Sequence, residues 1–360
     1  MKILCHLVHP AHFHLFKNIL ESLSKNGHEI LITIRNKDVL ENLLIESNLK
    51  YIKISDIQDS NSKLSLITSI LKKTYSLIKI SKFFRPDIMI SSATEVAIAG
   101  KLIRVPTLLY FEDDLEYVKN WALICGPLAS NLICPESCSA GKWVNKVVKY
   151  NGYHELTYLH PKLTDFSISE TSKTKPKYLL RLAKLTAYHD DNNSGIDNKL
   201  AHKIIDQLKV KGDVYISAER ELSNDFKELK LKVKSTELLD FMRDVDLYIG
   251  DSQTMAAEAA VLGIPSIRFN DFVGKLGYLE ELEHKYGLTY GIKTSEPEKL
   301  LEKIDELISY PNIKEEWQKR RAKMLADKID VTAFMVWFIE NYPNSVKVMK
   351  ENPEYQYRFR

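Results

Sequence analysis

The stretch IGDSQTMAAEAAVLGIPS, Ile249 to Ser266, combines an apolar strand, a small polar turn and an alanine-rich helix. Short hydroxyls and free backbone N–H groups at a helix start form an anion site suited to a phosphate or diphosphate. Glu258 lies four residues beyond Thr254, on the same helix face, where it could accept hydrogen bonds from two ribose hydroxyls. The candidate nucleotide-binding residues of this stretch are Gly250, Asp251, Ser252, Gln253, Thr254, Met255 and Glu258.

The backbone of this stretch carries two further expectations and one alternative. Gly250 lets the chain turn tightly. Small side chains let the helix pack close to its sheet; they are Ala256, Ala257, Ala259 and Ala260. The alternative is that Asp251 or Ser252 is only a helix cap and Glu258 a solvated surface acid, since caps of this composition are common.

The stretch GDSQTMAAEAAVLGIPSI resembles the nucleotide-binding element of the GT-B superfamily, which includes non-hydrolysing UDP-GlcNAc 2-epimerases and glycosyltransferases. In the epimerases Asp-Ser-Gly-Gly is followed by a Glu and then Leu-Gly-x-Pro. Asp251 and Glu258 have that spacing, and Leu262-Gly263-Ile264-Pro265 follows in register. The resemblance implies that the turn holds the diphosphate and Glu258 the ribose. Gln253-Thr254 replaces the Gly-Gly pair, so the phosphate approach differs in detail.

Two further stretches extend the resemblance, HPAHFHLFKNILESLSKNGHEILITIR and NGYHELTYLHP. With the turn above, they are similar to a GT-B-like family of unknown function, domain of unknown function 354. The resemblance implies the GT-B fold, with two Rossmann-like parallel-sheet domains facing each other across a cleft. It also implies that a C-terminal helix returns to the N-terminal domain, and that the reaction uses a nucleotide sugar without a metal or other cofactor.

Histidines cluster near the N-terminus at positions 6, 9, 12 and 14. His6 lies inside a predicted strand and is expected in the core, and His9 precedes Pro10 and shapes a turn. At a helix start the dipole lowers the pKa of His12 or His14, so either could be a neutral base. The resemblance to GT-B enzymes, where a His often occupies this loop, favours His12. A zinc site from these side chains is weakly supported because no acid or Cys accompanies them.

Carboxylates also follow predicted strands in the first half of the chain. Glu112, Asp113 and Asp114 end the run YFEDDLE, and Glu95 follows the preceding strand. The resemblance to the epimerases places an acid near Glu112, with Asp113 next. Such groups can act as a general base or position sugar hydroxyls. The alternative is a solvated loop with a helix cap.

Arg181 closes the apolar run YLLR. An Arg there could neutralise a diphosphate through its planar fork; a surface Arg is the alternative, and Arg220 is a weaker candidate of the same kind. In NGYHELTYLHP, aromatic and polar side chains precede the predicted linker. They either line the cleft at the hinge and contact the sugar or acceptor, or form interdomain packing; they are Tyr153, His154, Glu155 and Tyr158.

Alternating strand and helix signals must position these residues. The predicted strands are KILCHLV, EILITIR, DIMIS and TLLYF, then YLLRLA, DVYISA, DLYIG and PSIRF. Helical patterns between them predict a parallel sheet in each half. In such sheets ligands bind beyond the carboxyl ends of the strands, where HPAHFH and GDSQTM both lie.

The polar run SISETSKTKPK lacks apolar periodicity and predicts a linker at 167–177. The N-terminal domain, on the acceptor and catalytic side, is then 1–166, and the nucleotide-sugar-binding domain is 178–328. Residues 329–360 form a helix and tail that pack back on the first domain. The final YQYRFR has no clear packing signal.

The stretch 66–85, LITSILKKTYSLIKISKFFR, has the pattern of a basic amphipathic helix ending in Phe83-Phe84. Its predicted apolar face is Ile67, Ile70, Leu71, Thr74 and Ile78, and its flanking cations are Lys72, Lys73, Lys79, Lys82 and Arg85. Such a helix can lie on an anionic membrane. The favoured alternative is an ordinary helix that packs its apolar face on the sheet.

Composition limits the class of protein. The 360 residues suggest two domains or one large α/β domain, and 44% hydrophobic with 28% charged residues is ordinary for a globular protein. A net charge of +3 is too mild to argue for nucleic acid. No apolar run approaches a bilayer span, MKILCHLV reads as a strand rather than a signal peptide, and the four cysteines suggest buried free thiols. The expected location is the cytoplasm, peripheral at the inner membrane face if the basic helix contacts lipid.

These observations together predict a GT-B glycosyltransferase that moves a sugar from a UDP-sugar to a cell-surface glycan precursor, such as a lipid-linked acceptor. A UDP-sugar 2-epimerase or nucleotide-sugar hydrolase is the alternative within enzymes. A non-catalytic nucleotide-sugar-binding protein is the alternative from another class.

Overall fold

The protein folds into two compact units in a computed structural model. Unit 1 comprises Met1–His160 and Lys328–Arg360, and unit 2 comprises Pro161–Asp327. The described residues are 1–35, 38–54, 63–163, 175–183 and 195–360, with only the backbone described at 38 and 63–66. The C-terminal segment therefore lies with the N-terminal sheet, as the resemblance implied. Residues 167–174 of the predicted linker lie outside the described residues.

One parallel sheet forms the centre of each unit. Among the described residues, the strands of unit 1 are β1 Lys2–Leu7, β2 Glu29–Ile34, β3 Tyr51–Lys53, β4 Ile88–Ser91, β5 Thr107–Tyr110, β6 Asn131–Pro135 and β7 Val147–Tyr150. Those of unit 2 are β8 Lys177–Leu182, β9 Asp213–Ala218, β10 Leu247–Gly250, β11 Ser266–Phe269 and β12 Thr289–Ile292. The spatial orders are β3-β2-β1-β4-β5-β6-β7 and β12-β11-β10-β8-β9, with parallel pairing throughout.

Helices connect the strands as crossover connections. They are α1 Pro10–Lys25, α2 Asp38–Glu46, α3 Lys63–Phe84, α4 Thr94–Ile103, α5 Lys119–Leu128, α6 Leu156–Leu159, α7 Asn198–Lys209, α8 Leu238–Arg243, α9 Gln253–Leu262, α10 Gly277–His284, α11 Pro297–Ile308, α12 Ile313–Asp327, α13 Val331–Glu340 and α14 Asn344–Glu351. Because all strands of a sheet run the same way, their carboxyl ends share one edge, here called the carboxyl edge. The opposite edge, where the strands begin, is the amino edge.

The predicted strands are confirmed at β1, β2, β4, β5 and β8 to β11. Their apolar runs are buried; in β1, for example, Ile3, Leu4 and Cys5 are fully buried. All four cysteines are free and buried, which also confirms that prediction. The described part of the chain contains no helix that is both long enough and apolar enough to span a bilayer.

The predicted apolar face of α3 is only partly correct. Thr74 is buried and Ile70 half-buried, but Ile67 and Leu71 are more than half exposed. The helix instead buries a mixed face that includes Ser69, Lys73, Leu77 and Ser81. The interpretation as an ordinary amphipathic helix is therefore wrong for Ile67 and Leu71.

The C-terminal tail packs into unit 1, although its sequence gave no clear signal of this. Residues Pro353–Phe359 form a 3-10 helix, and the Phe359 ring lies 5.6 Å from that of Trp337. Gln356 is buried, accepts a 2.6 Å hydrogen bond from the backbone N–H of Asn151, and donates to Glu136. The tail thus ties α13 to the segment that follows β7.

Candidate functional site

The turn between β10 and α9 lies at the carboxyl edge of the unit 2 sheet. It follows β10, the central strand of that sheet. A Cβ at Gly250 would lie 2.7 Å from the Arg181 Cβ and 3.0 Å from the Arg181 carbonyl oxygen. The backbone of Gly250 does not adopt a positive φ. Gly250 therefore does not use the left-handed conformation that glycine favours. Gly250 is required because β8 and β10 approach too closely there for any side chain.

The start of α9 has the features of an anion site. Ser252 is the N-cap, and its hydroxyl accepts a 3.4 Å hydrogen bond from the Met255 N–H. Ser252, Gln253 and Thr254 are half-buried, and the first helical turn carries no acid. The first N–H groups of a helix have no carbonyl partner within it, and the helix dipole makes this end positive. The geometry suits a bound anion.

Asp251 holds the loops around this turn. Its carboxylate accepts hydrogen bonds from the Ala183 N–H at 2.6 Å and the Ile196 N–H at 3.4 Å. Burial raises the pKa of Asp251, although these hydrogen bonds and the Arg220 charge oppose the shift. Asp251 therefore fixes the end of β8 and the approach to α7, and Ser252 is the residue that caps α9.

Glu258 is 6% exposed, so the interpretation as a solvated surface acid is wrong. The alanines beside it on α9 are fully buried, as expected from their size. Tyr248 is also buried, and burial raises its pKa well above the usual value; the Arg181 charge opposes this, and the Asp251 and Glu258 charges add to it. Arg181, Asp251 and Glu258 are therefore close enough to Tyr248, at the carboxyl edge, for their charges to act on its hydroxyl.

Arg181 lies inside β8 rather than at its end. Its guanidinium donates to the Ser217 hydroxyl at 2.5 Å and pairs with Glu219, on the neighbouring β9 side. Its Nε is buried and has no hydrogen-bond partner among the described residues. Arg220 donates to the carbonyl of Ile196. Binding of a diphosphate by Arg181 stays a prediction, and it requires Glu219 to be displaced.

Side chains from α12 stabilise the other end of α9, and the sequence analysis missed them. Gly263 ends the helix with φ 72°. Gln318 donates to the carbonyls of Leu262 and Gly263, and the buried Arg321 donates to that of Val261 at 2.9 Å. These groups complement the negative end of the helix dipole. Gln318 and Arg321, one to two turns into α12, gave no sequence signal for this contact.

Arg268 was also missed. It is fully buried in β11 and pairs with Glu280 at 2.6 Å and Glu283 at 2.8 Å on α10. Arg268 pairs with Gly250 in the sheet register. An Arg inside the otherwise apolar run PSIRF was the signal that could have found it.

In unit 1, His6 and Glu95 form a buried pair. His6 Nε2 lies 3.5 Å from Glu95 Oε1, while Nδ1 contacts the Thr33 hydroxyl at 3.0 Å. Burial alone would raise the pKa of Glu95, but the His6 hydrogen bond and charge lower it to about 2. The core position expected for His6 is confirmed. Glu95, a predicted catalytic acid, is held inside the unit by this contact.

The other histidines lie at the start of α1. The His9 ring nitrogen caps the helix by accepting from the Ala11 N–H at 3.2 Å, as its position before Pro10 suggested. The His12 ring lies 6.1 Å from that of His9, and the His14 ring 5.2 Å from that of Tyr158. Burial, with a smaller effect of the Lys17 charge, lowers the pKa of His14 to about 4. His14 is therefore neutral at pH 7, through burial rather than through the helix dipole.

The acids after β5 have separate surroundings. Glu112 Oε2 lies 3.4 Å from His154 Nδ1, and its other oxygen accepts from the His154 backbone N–H. Asp114 is buried and accepts from the Ser139 N–H, so it is not the solvated loop residue of the alternative interpretation. Asp113 is exposed. The structure thus joins a predicted acid with a predicted hinge residue into one carboxylate–imidazole pair.

Tyr153 and Glu155 lie inside unit 1. Tyr153 is fully buried, with the Lys328 ammonium 4.6 Å above its ring, and Glu155 is 1% exposed. Their burial favours packing over direct contact with a sugar. Among the described residues no group of His, Cys, Asp and Glu is arranged to hold a metal ion.

Solved structures share this architecture. The spinosyn rhamnosyltransferase SpnG is 16% identical, with 95% of this chain and 100% of that chain covered and a TM-score of 0.65. The UDP-GlcNAc 2-epimerase from Neisseria meningitidis, bound to UDP-GlcNAc, is 15% identical, with 94% and 99% covered and a TM-score of 0.65. The S. aureus MnaA–UDP co-structure is 16% identical, with 96% and 97% covered and a TM-score of 0.68. The chain therefore has the two-domain GT-B fold that these structures share.

The family assignment follows from the sequence itself. The family model described as "Protein of unknown function (DUF354)" matches residues 1–276. The chain belongs to that family, which confirms the resemblance in the three motifs. No curated protein sequence matches the chain.

Neutral His14 predicts a pH effect on stability. Since the folded state lowers its pKa from 6.5 to about 4, the unfolded state binds more protons between those values, and stability falls as the pH drops through this window. The contribution is at most about 3 kcal/mol. Chemical denaturation should therefore show a smaller acid-induced loss of stability for His14→Phe, which keeps a ring beside Tyr158, than for the wild type. The exposed His284→Gln should behave like the wild type; equal acid sensitivity of His14→Phe would refute the assignment.

Proposed function

We propose that this protein is a metal-independent GT-B glycosyltransferase that transfers a sugar from a UDP-sugar to a cell-surface glycan precursor. The single observation that carries the proposal is the start of α9, where an acid-free helix N-terminus with a Ser252 cap is followed one turn later by buried Glu258. UDP as the nucleotide is supported by the two similar structures that contain UDP or UDP-GlcNAc.

The roles follow from charge. The N–H groups and hydroxyls at the start of α9 offset the negative charge that develops on the leaving diphosphate. Glu258 accepts hydrogen bonds from the ribose, at a distance along the helix that keeps it from the phosphates. Arg181 adds a positive charge when its guanidinium leaves Glu219 and binds the diphosphate.

A base in unit 1 accepts the acceptor hydroxyl proton as the new glycosidic bond forms and the bond to the diphosphate breaks. His12 is our first candidate. The Glu112–His154 pair is the second, because a carboxylate that contacts an imidazole can orient it and stabilise its charged form. His14 is neutral at pH 7 and is the third.

A UDP-sugar 2-epimerase or hydrolase is the competing function, favoured by the Asp251–Glu258 spacing and by the epimerases among the similar structures. Incubation with UDP-GlcNAc and no acceptor separates the two. An epimerase or hydrolase turns the nucleotide sugar over, whereas a strict transferase leaves it almost intact.

Glu258→Gln should weaken UDP binding about tenfold or more, because a charge-assisted hydrogen bond contributes roughly 1.5–3 kcal/mol. Thermal shift against UDP, CDP, GDP, ADP and UDP-sugars measures this, since ligand at a hundred times its Kd stabilises by about 2.7 kcal/mol. Glu302→Gln, an exposed acid of α11, is the matched control and should bind like the wild type. Unchanged affinity of Glu258→Gln would remove the ribose role.

His12→Ala should lower kcat by about 100- to 10,000-fold and leave the Kd for UDP unchanged, as expected for a general base. Transfer assays and binding titrations on the same preparations measure both, with His14→Ala alongside. A loss confined to His14→Ala would move the base to that residue. Normal turnover in both variants and in Glu112→Gln would remove all three residues as the base, whereas UDP binding without turnover in the wild type would leave only a binding protein. Loss of activity on chelation would overturn the metal-independent reaction.

The exposed face of α3 supports contact with an anionic membrane. Ile67, Leu71 and Tyr75 recur at four-residue spacing and are 55–69% exposed, and Phe83 is 93% exposed. The helix and Arg85 after it contain six cations and no acid. Each Lys or Arg near an anionic surface contributes about 1 kcal/mol, and the exposed side chains add apolar burial. We take the occupant of this face to be the anionic bilayer that carries the acceptor.

Sedimentation with phosphatidylcholine–phosphatidylglycerol vesicles tests this contact. The wild type should bind these vesicles and not pure phosphatidylcholine. The double variant Leu71→Ser/Tyr75→Ser should bind markedly less, since two of the four exposed apolar side chains are gone. Val210→Ser removes an exposed apolar side chain from unit 2 and should bind normally. Failure of the wild type to bind, or equal binding by the double variant, would contradict the proposal.

A further inference from the structure

A cavity lies at the amino edge of the unit 1 sheet, opposite the edge that carries His12 and Glu112. It has a volume of about 490 Å³ and lies where α4 and α5 end and where β5, β6 and β7 begin. Its polar walls are formed by Lys101, Arg104 and Lys146, and we call it the basic pocket. Apolar residues such as Val105 and Leu128 form other parts of the wall.

The charged side chains that line the basic pocket are all positive. No Asp or Glu lines it, and within the described ranges neither Lys101 nor Arg104 makes a side-chain hydrogen bond or ion pair. Burial lowers the pKa of Lys146, and the nearby Lys101 charge lowers it further. Like charges are thus held near each other without a protein counterion, and a bound anion would relieve their repulsion.

The basic groups are positioned by the backbone. Lys146 donates to the carbonyls of Pro127 and Ala129, at 2.9 and 3.1 Å, which uses two of its three N–H groups. Arg104 ends α4 in the left-handed conformation, with φ 58°. Arg85 repeats this at the end of α3, with φ 56°.

We propose that the basic pocket binds a phosphate or diphosphate group attached to a larger organic moiety. Three cations match a multiply charged anion, and a planar guanidinium beside two ammonium groups suits phosphate oxygens. The volume exceeds that of a phosphate alone and falls in the range of small-molecule sites, so the apolar wall receives the attached group. The site is independent of the proposed transferase activity, because its residues lie at the opposite edge of the sheet.

Protection of lysines from acylation tests the proposal at the residues themselves. The full-length protein is treated with an N-hydroxysuccinimide ester with and without inorganic pyrophosphate, and each lysine is followed by mass spectrometry. Pyrophosphate should slow acylation of Lys101 and Lys146 by about tenfold at saturation, because the bound anion covers both amines. Lys209 and Lys211, exposed in unit 2, should react unchanged. Binding of pyrophosphate at α9 does not affect this readout, so it is distinct from the test of the proposed function.

Variants complete the design. Arg104→Gln should raise the half-protecting concentration by about tenfold, Arg104→Lys should keep most of the protection, and Lys209→Gln should match the wild type. Protection is then measured with soluble glycerol 3-phosphate and with vesicles that contain phosphatidic acid. Protection by glycerol 3-phosphate supports the site and identifies a free ligand, and protection by the vesicles supports the site and identifies a lipid headgroup. Absence of protection by all three ligands, or equal protection in Arg104→Gln, would overturn the proposal.

Discussion

The close approach of α9 to its sheet is the constraint on which the candidate nucleotide site depends. It requires a helix surface made of methyl groups. Beside it, the missing side chain of Gly250 lets β10 lie against Arg181 of β8. The Ser266 hydroxyl bonds to the Ala256 carbonyl across the contact between α9 and the sheet. Arg321 and its neighbours satisfy the carbonyls at the far end of the helix, and the first turn at its near end carries no acid. The candidate anion site thus depends on packing at both ends of α9.

Unit 1 uses the same edge of its sheet differently. Among the described residues, this edge carries two carboxylate–imidazole pairs of contrasting exposure. The His6–Glu95 pair is sealed in the core, where it stabilises a charged carboxylate, and the His154–Glu112 pair retains access to solvent. Only a partly exposed pair can exchange protons with a ligand, so identical chemistry yields a structural contact in one place and a candidate reactive group in the other.

The sequence predicted the fold well where apolar runs were long and separated by clear helical patterns, as at β1 and β10. It missed β12, whose sequence TYGI contains a glycine, and β7, which follows a 3-10 helix. Such short strands form because of the strands they pair with, more than because of their own residues. The prediction of an anion site at Ser252 followed from local backbone rules. The Glu112–His154 pair and the Arg321 contact join residues far apart in the chain, and no local pattern encodes such distances.

The placement of the C-terminal segment has a consequence for biosynthesis. Unit 1 begins the chain, yet Gln356 and Trp337, which complete its packing beside β7, are translated after all of unit 2. Domains generally fold as units while the ribosome extends the chain from the N-terminus. All of unit 2 therefore leaves the ribosome while unit 1 still lacks its C-terminal helices. The part of the protein translated first is the last to be completed.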